Sequence, residues 1–406
     1  MKRRDFIQAV KCGTISSYLF SNPLFTYASR LAEQTFAQKE KELAYHTITA
    51  VKFGSVELKW PRKVGKNARL DDHGFGETSD ICVIQTDHGA SGWGMVRGKK
   101  EAEQILSRLS GKKVSDVFNT QIGITDMDYL PYDIALHDLA GVILQKPVYA
   151  VMGAEQPTIT DCYSGMLYFD DLDPKDNPAG INKVVEECQQ DYDLGYRQFK
   201  LKIGRGNKWM PKQEGVQRDI EITKAVAKQF PDCAILVDGN DGFTVEEFIQ
   251  YLEGIGDIPL FWIEEPFLET AEDYRKLRAW LHANNIKNTL LADGEHNPDD
   301  KLLRELEEQK LIDVHLTDIL GYGFTPWRQL MPELKQMGIL ASPHAWGTLL
   351  KTHYTAHLTG ALGNTPTIEG VTCSSDDVDL SNYRLENGKL IPSTSPGFGM
   401  PLLKKI

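Results

Sequence analysis

"AILVDGNDGFTVEEFIQYLEGIGDIPLFWIEEP", residues 234–266, is an apolar run, an amphipathic run and a second apolar run, and a carboxylate closes each apolar run. In its middle, "TVEEFIQYLEGI", apolar residues recur at intervals of three and four, the period of a helix with one buried face. The flanking "AILVDGN" and "LFWIEEP" have the length and composition of buried strands. A strand, a helix and a strand in that order are the repeating unit of a parallel sheet.

From Thr158 onward the same rhythm continues through "TITDCYS", "FKLKIG", "TLLADGE", "LIDVHLTDI", "ILASPHA" and "TIEG", which brings the strands to eight. Helical patterns such as "VQRDIEITKAVAKQF", "AEDYRKLRAWLHA" and "KLLRELEEQ" lie between them. Eight strands and seven helices over roughly 210 residues predict an α/β protein built on a (β/α) barrel, an architecture of about 250 residues. The barrel is assigned to residues 158–370. Residues 45–157 read as an α+β domain: "ETSDICVIQTDHGASGWGMV" predicts a hairpin turning at Asp87-His88-Gly89, followed by helical stretches. The tail, 371–406, carries Pro392, Pro396 and Pro401 without a helical pattern and is expected to complete that first domain.

With 406 residues, 41% hydrophobic and 25% charged, the chain buries a sizeable core. A net charge of -12 argues against nucleic acid or an anionic membrane as the main partner. No segment beyond the N-terminus is apolar enough to span or anchor in a bilayer. Residues 1–28 have a basic opening, an apolar middle and small residues near Ala28, and Arg3-Arg4 followed by Asp5-Phe6-Ile7 resembles a twin-arginine export signal, so the protein is expected in the periplasm. The six cysteines form no close pairs and are expected to be free thiols.

Ionisable residues close one strand after another: Lys200 and Lys202, Asp238, Glu264 with Glu265, Glu295, Asp318, His344 and Glu369. From Lys202 onward each follows the last, Glu265 aside, by 23 to 36 residues, about one strand-helix unit, so a barrel gathers them at one mouth. Lys200 and Lys202 share one face of their strand because side chains alternate, and two ammonium groups in one space require anions. Asp238, Glu264 and Glu295 would repel one another unless a hard cation sits among them, and oxygen-only ligands select magnesium over zinc. His344 beside Asp318 has the makings of a general base or, when protonated, a general acid.

This ordered series, with "KLKIG", "VDGN", "WIEEP", "ADGE", "TDI", "SPHAWG" and "IEG", resembles the enolase superfamily and its mandelate racemase subgroup (the mandelate racemase/muconate lactonizing enzyme family). The resemblance implies a (β/α)7β modified TIM barrel with an N-terminal α+β capping domain. It implies Mg2+ on Asp238, Glu264 and Glu295, with Lys202 as one acid/base and His344 with Asp318 as the other. Lys200 would help hold a substrate carboxylate, and Glu369 would hydrogen-bond the enediolate. The sixth strand, "HLTDILGYGF", lacks the lysine of muconate cycloisomerases and dipeptide epimerases. In the cap, "KWPRKVGKNARLDDHGFGET" reads as a long basic loop offering Trp60 and Arg62, with Lys63, Lys66 and Arg69, to the distal end of a substrate.

The chemistry expected is abstraction of the α-proton of a small carboxylic acid, with Mg2+ and cations stabilising the developing charge. Burial and the neighbouring cation, with Mg2+ close by, are expected to depress the Lys202 pKa toward neutrality. Dehydration of a sugar acid to a 2-keto-3-deoxy acid is the first reading. Racemisation or epimerisation of an α-hydroxy or sugar acid, and an inactive carboxylate-binding protein, are the alternatives. A homo-oligomer is expected.

Overall fold

The apolar runs form the strands of a parallel barrel in the computed structural model, which describes residues 36–406. The export signal assigned to residues 1–28 lies outside the described residues. The cap opens with an antiparallel sheet of β1 (Ile48–Val64), β2 (Gly74–Thr86) and β3 (Ser91–Met95), and β2 turns into β3 across Asp87-His88-Gly89 as the sequence predicts. Helix α1 (Asp133–Leu144) lies close against this sheet, because Gly92 and Gly94 have no side chain in the way. A Cβ on Gly92 would come within 2.3 Å of the Leu139 backbone nitrogen. A two-residue pair, β4 (Phe118–Asn119) and β5 (Gly123–Ile124), completes the strands of the cap's first stretch.

The barrel strands are β6 (Thr160–Leu167), β7 (Gln198–Lys202), β8 (Ala234–Asp238), β9 (Leu260–Glu264), β10 (Leu290–Asp293), β11 (Val314–His315), β12 (Leu340–Ala341) and β13 (Ile368–Gly370). Helices α2 (Ile181–Asp193), α3 (Lys212–Gln229), α4 (Val245–Ile255), α5 (Ala271–Ala283), α6 (Asp300–Glu308), α7 (Phe324–Met337) and α8 (Leu349–Leu362) cross between them, so the barrel is (β/α)7β. The strands pair in chain order from β6 to β12, and β13 pairs with β6. Between β12 and β13 the closure is made by Ser342 Oγ donating to the Thr367 carbonyl at 2.7 Å.

α4 starts where it does because Thr244 and Glu247 form a reciprocal capping box, and it ends at Gly256, whose φ is +68°. Its apolar residues Val245, Phe248, Tyr251, Leu252 and Ile255 are buried against the barrel. Inside the barrel, Tyr163, Leu236, Trp262, Ala292, Val314 and Leu316 pack into a plug. Alternation sends Leu201 outward to the helices, and Lys200 inward, its ammonium 5.2 Å above the Tyr163 ring.

Two buried networks weld the cap to this barrel. Asp133 on α1 accepts from the backbone N–H and the hydroxyl of Thr325, both at 2.7 Å, and Arg328 donates to the Thr120 carbonyl and to His137 Nε2. The tail reaches both bodies: Trp93 Nε1 donates to the Met400 carbonyl, while a hairpin of β14 (Arg384–Glu386) and β15 (Lys389–Ile391) extends the barrel sheet antiparallel to β6. Among the described residues no helix is long and apolar enough to cross a membrane, and the described cysteines are free.

Candidate active site

β8, β9 and the loop after β10 bring Asp238, Glu264 and Glu295 together, with one carboxylate oxygen of each within 4.8 Å of the others. Glu264 Oε2 and Glu295 Oε2 are buried with no hydrogen-bond partner. Leaving such oxygens dry and unpaired is costly, so the set is built for a cation. Lys202 touches Asp238 from one side. Lys200, fully buried, lies 2.7 Å from Glu264, 2.9 Å from Glu369 and 3.3 Å from Asp238. Its ammonium is thus surrounded by three carboxylates and acts as their counter-ion.

His344 Nε2 stands 3.4 Å from Glu295 and 3.5 Å from Glu369, and Nδ1 stands 3.0 Å from Asp318 Oδ2. The apolar runs here are longer than the ladders: β11 and β12 are two residues each, so Asp318 and His344 sit in the loops beyond them, joined by a single bridge. Asp318 caps the short helix Ile319–Tyr322 with its other oxygen, which fixes the carboxylate. Lys351 on α8 also reaches Asp318 Oδ2, at 2.9 Å.

The electrostatics follow from these contacts. Burial pushes Asp318 up, but the His344 hydrogen bond and Lys351 hold it well below the usual carboxylate range. Burial lowers His344, yet Glu295, Glu369 and Asp318 raise it above the ordinary histidine value, which favours the imidazolium. Glu369, raised by burial, is drawn down to about 2 by Lys200 and His344. For Lys202 burial acts downward, but Asp238 raises it and the net shift is upward. Asp238, with Glu295 and Glu264, outweighs burial and Lys200.

The cap residues depart most from expectation. Residues 59–64 continue β1 instead of forming a loop; Pro61 is accommodated where the register breaks between Lys59 and Val64. Trp60 donates its indole N–H to the Gly347 carbonyl, so it can offer only a ring face, 5.4 Å from Trp346. Arg62 is a correction: its guanidinium is buried in a two-pronged pair with Asp191, at 2.7 and 2.8 Å, and is not offered to a substrate. Glu187 lies beside it, pushed to about 7 by burial and by Asp170. Arg62→Leu should therefore destabilise the fold by about 3 kcal/mol, since it strands buried carboxylates, and leave the KM for substrate unchanged. Urea unfolding and steady-state kinetics check this; a normal unfolding midpoint with a raised KM would return Arg62 to the substrate.

Two aromatic residues escaped the sequence reading. Tyr168 follows β6 as the other site residues follow their strands, and its ring lies 5.5 Å from the Lys202 ammonium. His73, from the cap, packs against Tyr168 and Trp346 at 5.0 and 4.7 Å between ring centres. Position after a strand would have found Tyr168; nothing local marks His73.

Residues 183–406 match the family described as enolase C-terminal domain-like. Among solved structures, a galacturonate dehydratase from Geobacillus sp., complexed with D-galacturonate and 5-keto-4-deoxy-D-galacturonate, is 30% identical with a TM-score of 0.82, covering 89% of this chain and 95% of that one. A mandelate racemase/muconate lactonizing protein from Geobacillus sp. Y412MC10, complexed with magnesium/tartrate, is 31% identical with a TM-score of 0.81, covering 88% and 93%. The arabinonate dehydratase of Saccharolobus solfataricus is 26% identical over 315 residues, 74% of this chain and 76% of that protein.

Proposed function

The chain belongs to the enolase C-terminal domain-like family, and on that premise we propose that it is a magnesium-dependent dehydratase of a sugar acid, forming a 2-keto-3-deoxy acid. The observation that carries this reading is an ammonium and an imidazole set against two different members of one carboxylate trio, Lys202 at Asp238 and His344 at Glu295. The similarity to named sugar-acid dehydratases supports the substrate class.

Asp238, Glu264 and Glu295 fit a hard dication, because their donors are all oxygen and two of those oxygens are buried without partners. When bound, Mg2+ would polarise the substrate carboxylate and offset the carboxylate charge that keeps Lys202 protonated. Lys202 Nζ, as the free amine, takes the α-proton, and the electron pair left on the α-carbon is delocalised into the carboxylate. That pair then expels the β-hydroxyl, which departs as water with the proton handed over by His344 Nε2. The enol so formed ketonises to the 2-keto acid. Asp318 holds the Nδ1–H of His344 throughout, and Lys200 balances the anions beneath.

The test is a panel of aldonic, uronic and aldaric acids with Mg2+ and detection of 2-keto products. At least one should give a 2-keto acid, with activity lost to EDTA. Inversion at the α-carbon without keto acid would make the protein a racemase or epimerase. We also propose export by the twin-arginine route, read from Arg3 and Arg4. Periplasmic yield should collapse when both become lysine; unchanged yield removes that assignment.

A further inference from the structure

Every basic side chain of the cap segment 59–69 has its own carboxylate. Lys59 pairs with Asp376, Arg62 with Asp191, Lys63 and Lys66 with Asp72 and Asp173, and Arg69 with Asp241 at 2.5 Å. Lys208, without a carboxylate partner among the described residues, is exposed and donates to the Arg69 carbonyl. The segment is therefore basic in composition and neutral in effect.

Arg69, which lies 3.9 Å from Glu265 as well as pairing with Asp241, is spent on carboxylates, and what the cap and the strand ends otherwise group near Lys202 is aromatic. Trp60, Trp346, Tyr168 and His73 form a continuous set of ring contacts, from 4.7 to 5.5 Å between centres, and Lys202 lies over the Tyr168 ring. The two indole N–H groups are already engaged, Trp60 with the Gly347 carbonyl and Trp346 with the Gly165 carbonyl. His73 Nδ1 lies 2.7 Å from the Gly65 carbonyl. A carbonyl only accepts, so Nδ1 carries the hydrogen and Nε2 of the neutral ring is an acceptor, with no partner among the described residues. Burial and the nearby Lys202 charge both keep this ring neutral. The Tyr168 ring, 5.0 Å from the His73 ring and 5.5 Å from the Lys202 ammonium, links His73 to the site.

We propose that His73 is a specificity-determining residue whose Nε2 accepts a hydrogen bond from a neutral hydroxyl of the substrate, and that the substrate is a sugar monocarboxylate, aldonic or uronic, and not an aldaric diacid. This rests on the dehydratase reading and narrows it. A second carboxylate would enter a wall of ring faces and one lone pair, leaving an anion desolvated without a counter-ion. A hydroxylated chain instead offers C–H groups to the rings and an O–H to His73.

The experiment compares kcat/KM of the full chain with Mg2+ on aldonate, uronate and aldarate of matched stereochemistry, for the parent, His73→Phe and His73→Asn. The parent should favour a monoacid by about 100-fold or more, as expected when a buried charge is left unpaired. His73→Phe keeps the ring packing and removes the acceptor, so KM should rise about tenfold, the cost of one hydrogen bond, with kcat little changed. His73→Asn, which restores an acceptor, should recover part of the loss. Aldarate used as well as the monoacid, or an unchanged KM in His73→Phe, overturns this inference while the dehydratase reading stands. Turnover of no acid at all overturns both.

Discussion

Glu264→Gln should lower kcat about a thousandfold or more while the protein stays folded, and Asp238→Asn should do the same. Each removes one anionic oxygen from a set of three that lie within 4.8 Å. The charge stabilisation of a carboxylate-derived carbanion by a metal is worth several kcal/mol, at about 1.36 kcal/mol per decade of rate. For Glu264→Gln stability should not follow activity downward, whereas Asp238→Asn also takes away the carboxylate that Lys202 touches and should lower stability. Burial and Asp238 push Glu264 well above the ordinary carboxylate range, so its charge is a strain on the fold, and removing it leaves Lys200 still facing Glu369 and Asp238. Kinetics and calorimetric Mg2+ titration, with thermal unfolding in EDTA, separate the two effects. Near-parental turnover of either variant in magnesium-limited buffer would sink the metal assignment.

Lys202→Ala and His344→Asn should fail in different ways, each losing about 10^2- to 10^4-fold in product formation. With Lys202 as the abstracting base, its removal should end both keto-acid formation and exchange of the α-hydrogen with solvent deuterium. His344→Asn should keep that exchange and form little product, because the proton for the departing hydroxyl is missing. Asparagine cannot supply it, although it can still face Asp318. NMR of the recovered substrate in D2O reads exchange and a keto-acid assay reads product. Exchange in Lys202→Ala together with none in His344→Asn would reverse the roles and make His344 the base.

The strand-helix alternation made the barrel and most of its mouth legible in the sequence, because a polar residue closing an apolar run has one place to go. Asp238 and Glu264 end their strands as read. Asp318 and His344 came together as read, but on loops, since the backbone leaves the ladder after two residues in β11 and β12. The cap was less legible. Arg62 meets Asp191 and Arg69 meets Asp241 across more than a hundred residues, and no local pattern reveals which charge a distant fold will bring alongside. The sign of the Lys202 shift is hidden for a related reason: it is a difference between burial and several charges, and only placed atoms decide it.

The buried welds between cap and barrel bear on how this protein can acquire new substrates. A wholesale exchange of caps with a relative would have to replace Asp133, His137, Thr325 and Arg328 together, because any one left behind is a polar group sealed in without its partner. Stepwise inheritance through such intermediates is blocked by instability. Within the segment 65–73, Lys66, Asp72 and His73 are different: they are half-buried or exposed, and substitutions at those positions leave the welds untouched. Divergence of specificity in this lineage should therefore accumulate in that short stretch, while the joint between the two bodies stays frozen and records descent.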